Sequence, residues 1–416
     1  MLMASLTAAL LAAAAPAATP HQPDPTIIVI GRNIQDKKSA LDACLARQCP
    51  TDEDIDASLA LAETQLIAGK YHEARTTLLR ALGRNKRFAM SYPIPVSDLY
   101  RANGRVAAHL GIDADYYRST WGIYTTLKKG VPSAKDLQYS AMMEVAEMVA
   151  TTRGHDRARE YYRSIAYHAR ADGRPDIAAL AELRMILRHW PAYAREDGIR
   201  QIAQSADPKT RAAQLEARLA LARMAFERND TAKGEAIVAE LAQYDMKKPI
   251  LVYAPQWAVG GGPSNNDART AIENGKDSLG SSSDPDSQSF RLGASSREQD
   301  PFTIRSPYGT RSVSSTRMGI NVEDMWVDVG FHITPAGKVS DVQVLRSRGD
   351  RGWSRPLLAS IGGRRYTRPR DGSAVYRTER YTYTSGLEQG TGSHRSQHSP
   401  DARVEYFDLS DLSAPN

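Results

Sequence analysis

The sequence has few of the residues on which catalytic and metal centres depend. Its 416 residues include two cysteines, with no histidine near either in the chain, and nine scattered histidines. It has no H-E-x-x-H zinc pattern, no G-x-S-x-G nucleophile motif and no G-K-[ST] phosphate loop. We therefore expect no enzyme, no metal and no cofactor. An active site assembled from residues far apart in the chain would leave no such motif, and that alternative stays open.

Long hydrophobic runs are scarce too. One apolar stretch, LMASLTAALLAAAAPAA, ends in small residues, and Ala15 and Ala17 have the A-x-A arrangement of a secretory cleavage site. Crossing a bilayer takes about 20 apolar residues, and Pro16 interrupts this shorter run. We predict a signal peptide over 1–18, an exported protein and no stable membrane span. A retained N-terminal anchor is the alternative, since no Lys or Arg precedes the run.

Neither sign of charge is in large excess overall, with 54 Lys and Arg against 48 Asp and Glu. The surplus is local, because ten arginines and three acids lie between Arg346 and Arg380. Such a segment suits either an acidic partner or a solvated basic face. No aromatic and basic residues at a nucleic-acid-binding spacing accompany it. We therefore favour the solvated face and predict no nucleic-acid partner.

The two cysteines, Cys44 and Cys49, stand five positions apart in DACLARQCPT. An unbroken helix would hold their Cα atoms beyond the roughly 7 Å limit for a disulfide. Pro50 disfavours helix at Cys49, so we expect the helix to end near Arg47. We predict a disulfide between the two cysteines, as suits an exported protein. A pair of unlinked, buried thiols is the alternative.

Residues 39–257 are predicted to form a helical domain, because apolar residues recur three and four positions apart. One segment, LALAETQLIAGKYHEARTTLLRALGRN, resembles a tetratricopeptide repeat, in which small residues let two helices approach and a glycine marks the turn. Its matching positions are Ala62, Gly69, Tyr71, Ala74, Leu78 and Ala81. Two fainter copies involve Ala146, Ala158 and Tyr162, and Ala222, Gly234 and Val238. An irregular helical bundle is the alternative.

Composition separates the helical domain from its flanks. Residues 258–318 are rich in Gly, Ser, Asp and Asn and poor in apolar periodicity, which predicts a flexible linker. Residues 19–38 are predicted to be an N-terminal arm. The last segment, 319–416, is predicted to be a separate domain.

The terminal domain is predicted to have the order strand, strand, helix, strand. The stretch VDVGFHITPAGKVSDVQV places Val327, Val329, Phe331 and Ile333 on one strand face and turns at Pro-Ala-Gly-Lys. The apolar residues stand at odd positions up to Val339 and at even positions from Val342 onward. This shift in the alternation predicts a bulge near Ser340 and Asp341. WSRPLLASIGG predicts a short helix with Ser354 as its N-cap, Pro356 in its first turn and Gly362 at its end, and AVYRTERYTYT predicts a third strand over 374–384.

The combined pattern from Val327 to Pro369, V-x-V-x-F-x-I-x-P-x-G-x-V followed by R-S-x-G and R-R-Y-T-x-P, resembles the C-terminal domain of TonB-family energy transducers. Members of that family bind a short "TonB box" of outer-membrane transporters by β-strand addition. The resemblance therefore implies an exposed strand edge. The predicted docking strand consists of Val375, Tyr376, Arg377, Thr378, Glu379, Arg380, Tyr381, Thr382 and Tyr383. The alternative is a stable module whose edge faces water.

A second segment resembles the TonB box itself. DPTIIVIGRN, residues 24–33, is an isolated β-prone run flanked by proline. We hypothesise that its apolar part pairs with the docking strand in the same chain or a neighbour, at the high effective concentration of a tether. That part consists of Thr26, Ile27, Ile28, Val29, Ile30 and Gly31. An N-terminal strand or disordered arm is the alternative.

Together these patterns predict an α+β multidomain protein, with an all-α tetratricopeptide-like domain followed by a small ββαβ antiparallel sheet domain. The predicted function is that of a periplasmic protein-binding adaptor in a Gram-negative envelope, associated with TonB-dependent transport. Its expected partners are proteins or peptides of the envelope, including outer-membrane transporters. A genuine TonB-type transducer, which would need a membrane anchor and a stiff spacer, is the alternative.

Overall fold

The structure is a computed structural model that describes residues 25–152, 155–189, 192–244, 246, 248–255, 325–349, 352–389 and 396–410. These residues are mostly helical, with a small antiparallel sheet region near the C-terminus, which is the predicted α+β layout. The predicted signal peptide and the predicted linker lie outside the described residues. In the described part of the chain, none of the helices combines the length and apolar character that a bilayer crossing needs.

Eleven α-helices occupy the described residues before position 245. Pro93 and Pro175 are the first residues of two of them, where the fixed φ of proline is favourable and its missing N–H costs nothing. The helices are α1 (Pro25–Ala46), α2 (Thr51–Ile67), α3 (Tyr71–Asn85), α4 (Pro93–His109), α5 (Asp113–Gly130), α6 (Lys135–Thr152), α7 (His155–Ala171), α8 (Pro175–His189), α9 (Ala192–Ala203), α10 (Arg211–Glu227) and α11 (Thr231–Glu240).

From α2 onward the helices form five successive hairpins, α2/α3, α4/α5, α6/α7, α8/α9 and α10/α11. The two members of each hairpin pack together, and neighbouring hairpins also touch, as α3 with α4 and α7 with α8. The hairpins begin at Thr51, Pro93, Lys135, Pro175 and Arg211, so the spacing falls from 42 to 36 residues along the chain. We call these five hairpins the helical array.

Several helix connections repeat one backbone geometry. A residue with positive φ ends the preceding helix, and the N–H of the next residue donates to the carbonyl five positions back, as in a Schellman motif. Positive φ favours glycine, because a Cβ there crowds the backbone. The four turn residues are Gly69, Gly111, Gly173 and Asn229, with φ of 77°, 70°, 68° and 61°. The four donor and acceptor pairs are Lys70 to Gln65, Ile112 to Ala107, Arg174 to Ala169 and Asp230 to Ala225.

The residues of the predicted repeat pattern lie where helices meet. In the first copy Ala62, Tyr71, Ala74, Leu78 and Ala81 are all buried in one core. The pattern positions of the second and third copies are buried as well. The positions of the pattern are therefore core positions of three helical hairpins.

The C-terminal sheet has four strands in the order β3-β2-β5-β6. Neighbouring strands are antiparallel, and helix α12 (Ser354–Gly362) connects the β3 side of the sheet to β5. The strands are β2 (Trp326–Ile333), β3 (Val339–Arg348), β5 (Val375–Gln389) and β6 (Ser396–Asp408). A separate two-stranded ladder pairs β1 (Leu251–Tyr253) with β4 (Arg365–Tyr366). We call β2 to β6 with α12 the terminal module.

Three features predicted for the terminal module are confirmed. The alternating residues of β2 are fully buried in a core that includes Leu357 and Ile361 of α12. A bulge interrupts the β2–β3 ladder where Gly330 pairs with Gln343 but His332 pairs with Ser340, and Asp341 there has a φ of 53°. The predicted short helix is α12, although Trp353 and not Ser354 is at its N-cap.

The predicted N-terminal arm is wrong, because α1 already begins at Pro25. The TonB-box-like segment, Thr26 to Gly31, is therefore the start of a helix and not an extended strand. β-Branched residues disfavour helix only slightly, and proline at the first helical position suits its start. The hypothesis that these residues pair with a strand is contradicted by this conformation.

Candidate peptide-docking edge

The two faces of the sheet have different neighbours. In β2 and in residues 375–384 of β5, side chains with odd numbers point towards α12, and those with even numbers point to the opposite face. At the end of the sheet near Trp326 and Thr382, this opposite face packs against the helical array. At the end near His332 and Tyr376 it is open. The helical array therefore covers only part of the sheet.

Beneath α12, a fully buried ion pair sits among the tyrosines of the sheet. Arg364 donates to Glu379 over 2.6 Å and to the hydroxyl of Tyr381. The hydroxyl of Tyr406 donates to the other oxygen of Glu379 over 2.9 Å. Each buried charge thus has a charged partner and further hydrogen bonds, which such groups need in order to be stable. Burial raises the pKa of Tyr406, and the negative charge of Glu379 raises it further.

A second buried ion pair joins the sheet to the helical array. Arg380 of β5 donates to both oxygens of Asp328 over 2.6 and 2.9 Å, and it also donates to the backbone carbonyl of Leu66 at the end of α2 over 2.7 Å. Its guanidinium lies 4.1 Å from the ring centre of Trp326. Burial by itself lowers the pKa of Arg380, but the carboxylate of Asp328 outweighs it, and the pKa is raised. The guanidinium therefore stays charged inside this interface.

The terminal module also contacts the last hairpin of the array, directly through Arg365, whose Nε lies 3.8 Å from a carboxylate oxygen of Glu235 in α11, and through the segment 248–255 that follows the hairpin. The backbone N–H of Thr367 donates to the carbonyl of Ile250 over 2.8 Å, and Ser360 donates to the carbonyl of Pro255 over 2.6 Å. The ladder of β1 with β4 belongs to the same contact, because β1 packs on α10. The terminal module thus bridges the first and the last hairpins.

These contacts contradict the prediction that Val375–Tyr383 is an exposed docking strand. The strand is central, because β2 pairs with one side of it and β6 with the other. Of its nine residues only Tyr376 has an exposed side chain. The predicted order ββαβ omitted β6, and this omission made an inner strand look like an edge.

Among the described residues, β3 pairs with β2 alone and leaves its outer side open. An isolated bridge joins Lys338 to Arg365 just before the strand begins. Two bulges interrupt β3, one near Asp341 and one at Leu345, which lies between the paired residues Val344 and Arg346. Bulges of this kind limit indiscriminate pairing along an edge.

The open face beside this edge carries an apolar patch. The ring of Tyr376 lies across Gly330, leaving no room there for a Cβ, and a methyl carbon of Leu345 lies 3.1 Å from that same position. The rings of Tyr376 and His332 are 5.0 Å apart between centres. Tyr376 is 43% exposed and Leu345 is 39% exposed. We call Gly330, His332, Leu345 and Tyr376 the saddle.

The cysteine prediction is confirmed, since Cys44 and Cys49 form a disulfide with Cα atoms 5.1 Å apart. Helix α1 ends at Ala46, next to the predicted position. The carboxylate of Glu53 lies close to the two sulfurs, and this is the only cluster of potential metal ligands among the described residues. Because both sulfurs are bonded to each other, neither is a thiolate that would bind a metal.

Sequence reasoning missed the saddle, the open edge of β3 and the contact between sheet and array. A signal for the fourth strand was present, since ARVEYFDL alternates Val404 and Tyr406 with Phe407 displaced to the other face. Comparison with models of known protein families found no match, and comparison with curated proteins found no significant relative. The family resemblances therefore rest on the residues quoted above.

Proposed function

We propose that the protein is an exported, non-enzymatic adaptor of the cell envelope, which binds an extended protein segment along the outer edge of β3. The observation that carries this proposal is the unpaired side of Val339–Arg348, next to an exposed apolar patch. An edge strand offers backbone N–H and C=O groups to an added strand, and neighbouring pockets supply selectivity. The TonB-type resemblance supports the same mode of binding, with β3 in place of β5.

The helical array supports a second protein-binding role. Stacked helical hairpins present extended surfaces that suit peptides and proteins, and the four similar turns of this array favour a tetratricopeptide-like repeat. Because the terminal module contacts both ends of the array, its position relative to the array is fixed by contacts at two places. In this proposal the adaptor presents two binding surfaces in one rigid arrangement, beside TonB-dependent transport in the periplasm.

Amide hydrogen exchange tests the docking edge. The probe is the synthetic peptide acetyl-Ser-Glu-Thr-Leu-Thr-Glu-Ser-amide, which is too short to form a stable helix. We expect the peptide to slow exchange in 339–348 and to leave β6 unchanged. Protection on β6, or on no strand, would overturn the proposal.

Two neighbouring proline variants, Gln343→Pro and Val344→Pro, provide a matched control. Adjacent residues of a strand direct their N–H groups to opposite sides, so one variant removes a bond to β2 and the other removes only a group on the outer side. The variant that keeps the wild-type circular dichroism should lose peptide binding. Unchanged binding by that variant would mean that the peptide does not add to β3.

A further inference from the structure

The saddle lies beside the second bulge in β3. Val344 packs in the core on the α12 side of the sheet, so alternation directs Leu345 to the open face, where it lies 3.1 Å from the position of a Cβ on Gly330. The bulge leaves Leu345 without a partner residue on β2, and Arg346 beyond it pairs with Asp328. Glycine at position 330 completes the saddle, because Tyr376 occupies the space that any larger side chain would need.

The saddle is directly continuous with the unpaired edge. Leu345 belongs to β3 itself, Gly330 lies on the adjacent strand, and Tyr376 lies on the strand after that. A strand added to β3 would therefore direct every second side chain to the face on which Leu345 and Tyr376 are exposed. Since two bulges weaken regular backbone pairing, side-chain contacts with the saddle would supply a large part of the binding energy.

The charges along the edge favour an acidic partner. Lys338 and Arg348 lie near the two ends of β3, both with exposed side chains. The acid on β3 is Asp341, whose side chain is exposed. One of its carboxylate oxygens lies 3.7 Å from Nδ1 of His332. Opposite charges across an interface raise the association rate and penalise partners of the wrong sign.

We propose that the saddle selects the partner, which is an extended acidic segment carrying a bulky apolar side chain that packs on Leu345 and Tyr376. This inference rests on the proposed function and assigns the selectivity of the same edge to named residues. His332 forms the far wall of the saddle, through its ring contact with Tyr376.

Two synthetic peptides test the selection, acetyl-Ser-Glu-Thr-Leu-Thr-Glu-Ser-amide and the same peptide with Ala in place of Leu. We expect the Leu peptide to bind the wild-type protein about tenfold more tightly, as partial burial of a leucine side chain implies. In Leu345→Ala and in Tyr376→Ala the two peptides should bind alike. The control is Met90→Ala, which truncates an exposed apolar side chain of the helical array and should keep the tenfold difference.

Two further measurements separate the possible failures. Hydrogen exchange with each peptide shows whether 339–348 is protected. If both peptides protect that segment equally and with equal affinity, selection by the saddle is refuted while docking on β3 stands. If neither peptide protects it, both proposals fail.

A third peptide, with Gln in place of both Glu residues, tests the preference for an acidic partner. It should bind several-fold more weakly than the Leu peptide at 50 mM NaCl, and equal binding would overturn the charge preference.

Discussion

The hydroxyl oxygens of Tyr71 and Thr382, 311 positions apart in the chain, lie 2.7 Å from each other inside the protein. The ring of His109 stacks on Tyr71 at 5.4 Å between centres, and its Nδ1 lies 3.2 Å from the same threonine oxygen. Tyr71 opens α3, His109 closes α4 and Thr382 lies on β5. The helical array and the sheet therefore share a buried polar contact at this point, in addition to that of Arg380 with Leu66, and changes on either side should affect the stability of both.

A double-mutant cycle on Tyr71→Phe and Thr382→Val measures this contact. Each single change leaves a buried polar partner behind, at a cost of about 1–3 kcal/mol in the free energy of unfolding. The double variant should be more stable than the sum of the two losses predicts, by about 1 kcal/mol, because neither hydroxyl is then left facing a missing partner. The contact of His109 with the Thr382 hydroxyl is lost in both Thr382→Val and the double variant, so that loss cancels in the cycle. Urea denaturation gives the three values, and strict additivity would mean that the hydrogen bond does not contribute.

Gly69→Ala should destabilise the protein more than Gly173→Ala, the same substitution in another turn of the helical array. Its φ of 77° disfavours a Cβ, and the indole of Trp326 lies 2.6 Å from where that Cβ would be. We expect a loss of about 2–4 kcal/mol from backbone strain and displacement of the indole.

Gly173→Ala is the matched control for this experiment. Gly173 has a φ of 68° in the same kind of turn, but no atom lies within 4 Å of the position of its Cβ. This variant should lose about 1 kcal/mol from backbone conformation alone. Equal losses in urea denaturation would mean that Trp326 does not rest on Gly69 in solution.

The sequence predicted those parts of the fold in which neighbouring residues determine the outcome. The alternation from Val327 to Ile333, the bulge near Asp341 and the helix from Ser354 to Gly362 are all encoded within short windows. The hairpins that contain the three copies of the repeat pattern were predictable for the same reason, since their small and large residues recur at fixed spacings.

The open edge of the sheet was not predictable in the same way, because it depends on which strand lies outermost in the sheet. β6 begins with SQHSPDAR, where proline and polar residues hide the strand pattern. A buried ion pair such as Arg380 with Asp328 is equally invisible, because charged residues usually lie at the surface and these two are 52 positions apart. At α1, β-branched residues favoured a strand locally, but the chain forms a helix there.

Removing Arg380 should cost far more than removing Arg346, although both bind Asp328. Arg380 is buried and also bonds to the carbonyl of Leu66, whereas the Arg346 side chain is 20% exposed and lies 2.6 Å from the carboxylate. Arg380→Met leaves the buried carboxylate of Asp328 with only Arg346 as a charged partner among those described above. This should lower the free energy of unfolding by about 3–5 kcal/mol. Arg346→Met should cost about 1 kcal/mol. Urea denaturation of the two variants checks the order, and a reversed order would contradict the buried geometry.

Reducing the disulfide should lower the stability of the protein by a modest amount. The bond between Cys44 and Cys49 closes a loop of only a few residues between α1 and α2. A short loop restricts the unfolded chain less than a long one does, so we expect a loss of about 2 kcal/mol. Thermal unfolding of the Cys44→Ser/Cys49→Ser variant should match that of the reduced protein. A thiol assay on the unreduced, unfolded chain should find no free thiol, and two free thiols would contradict the bond.

Acid should weaken the first hairpin through Asp54. The carboxylate is buried in α2, and it accepts bonds from Arg84 over 2.6 and 2.8 Å and from Asn85 over 2.8 Å. Burial by itself raises the pKa of Asp54, but the hydrogen bonds and the charge of Arg84 outweigh it and hold the pKa below its ordinary 3.8. A depressed folded pKa adds stability that is present above pH 3.8 and is lost as the pH falls through the folded value.

Asp54→Asn should therefore have a lower free energy of unfolding than the wild type at neutral pH. This gap in the free energy of unfolding should narrow as the pH falls below 3.8. Asp56→Asn removes an exposed carboxylate from the same helix without touching Arg84, and serves as the control. Urea midpoints measured across the acid range provide the comparison for both variants. A gap for Asp54→Asn that stays constant down to the lowest pH would show that the ion pair contributes nothing to acid sensitivity, since protonating Asp54 removes the same charge as the amide does.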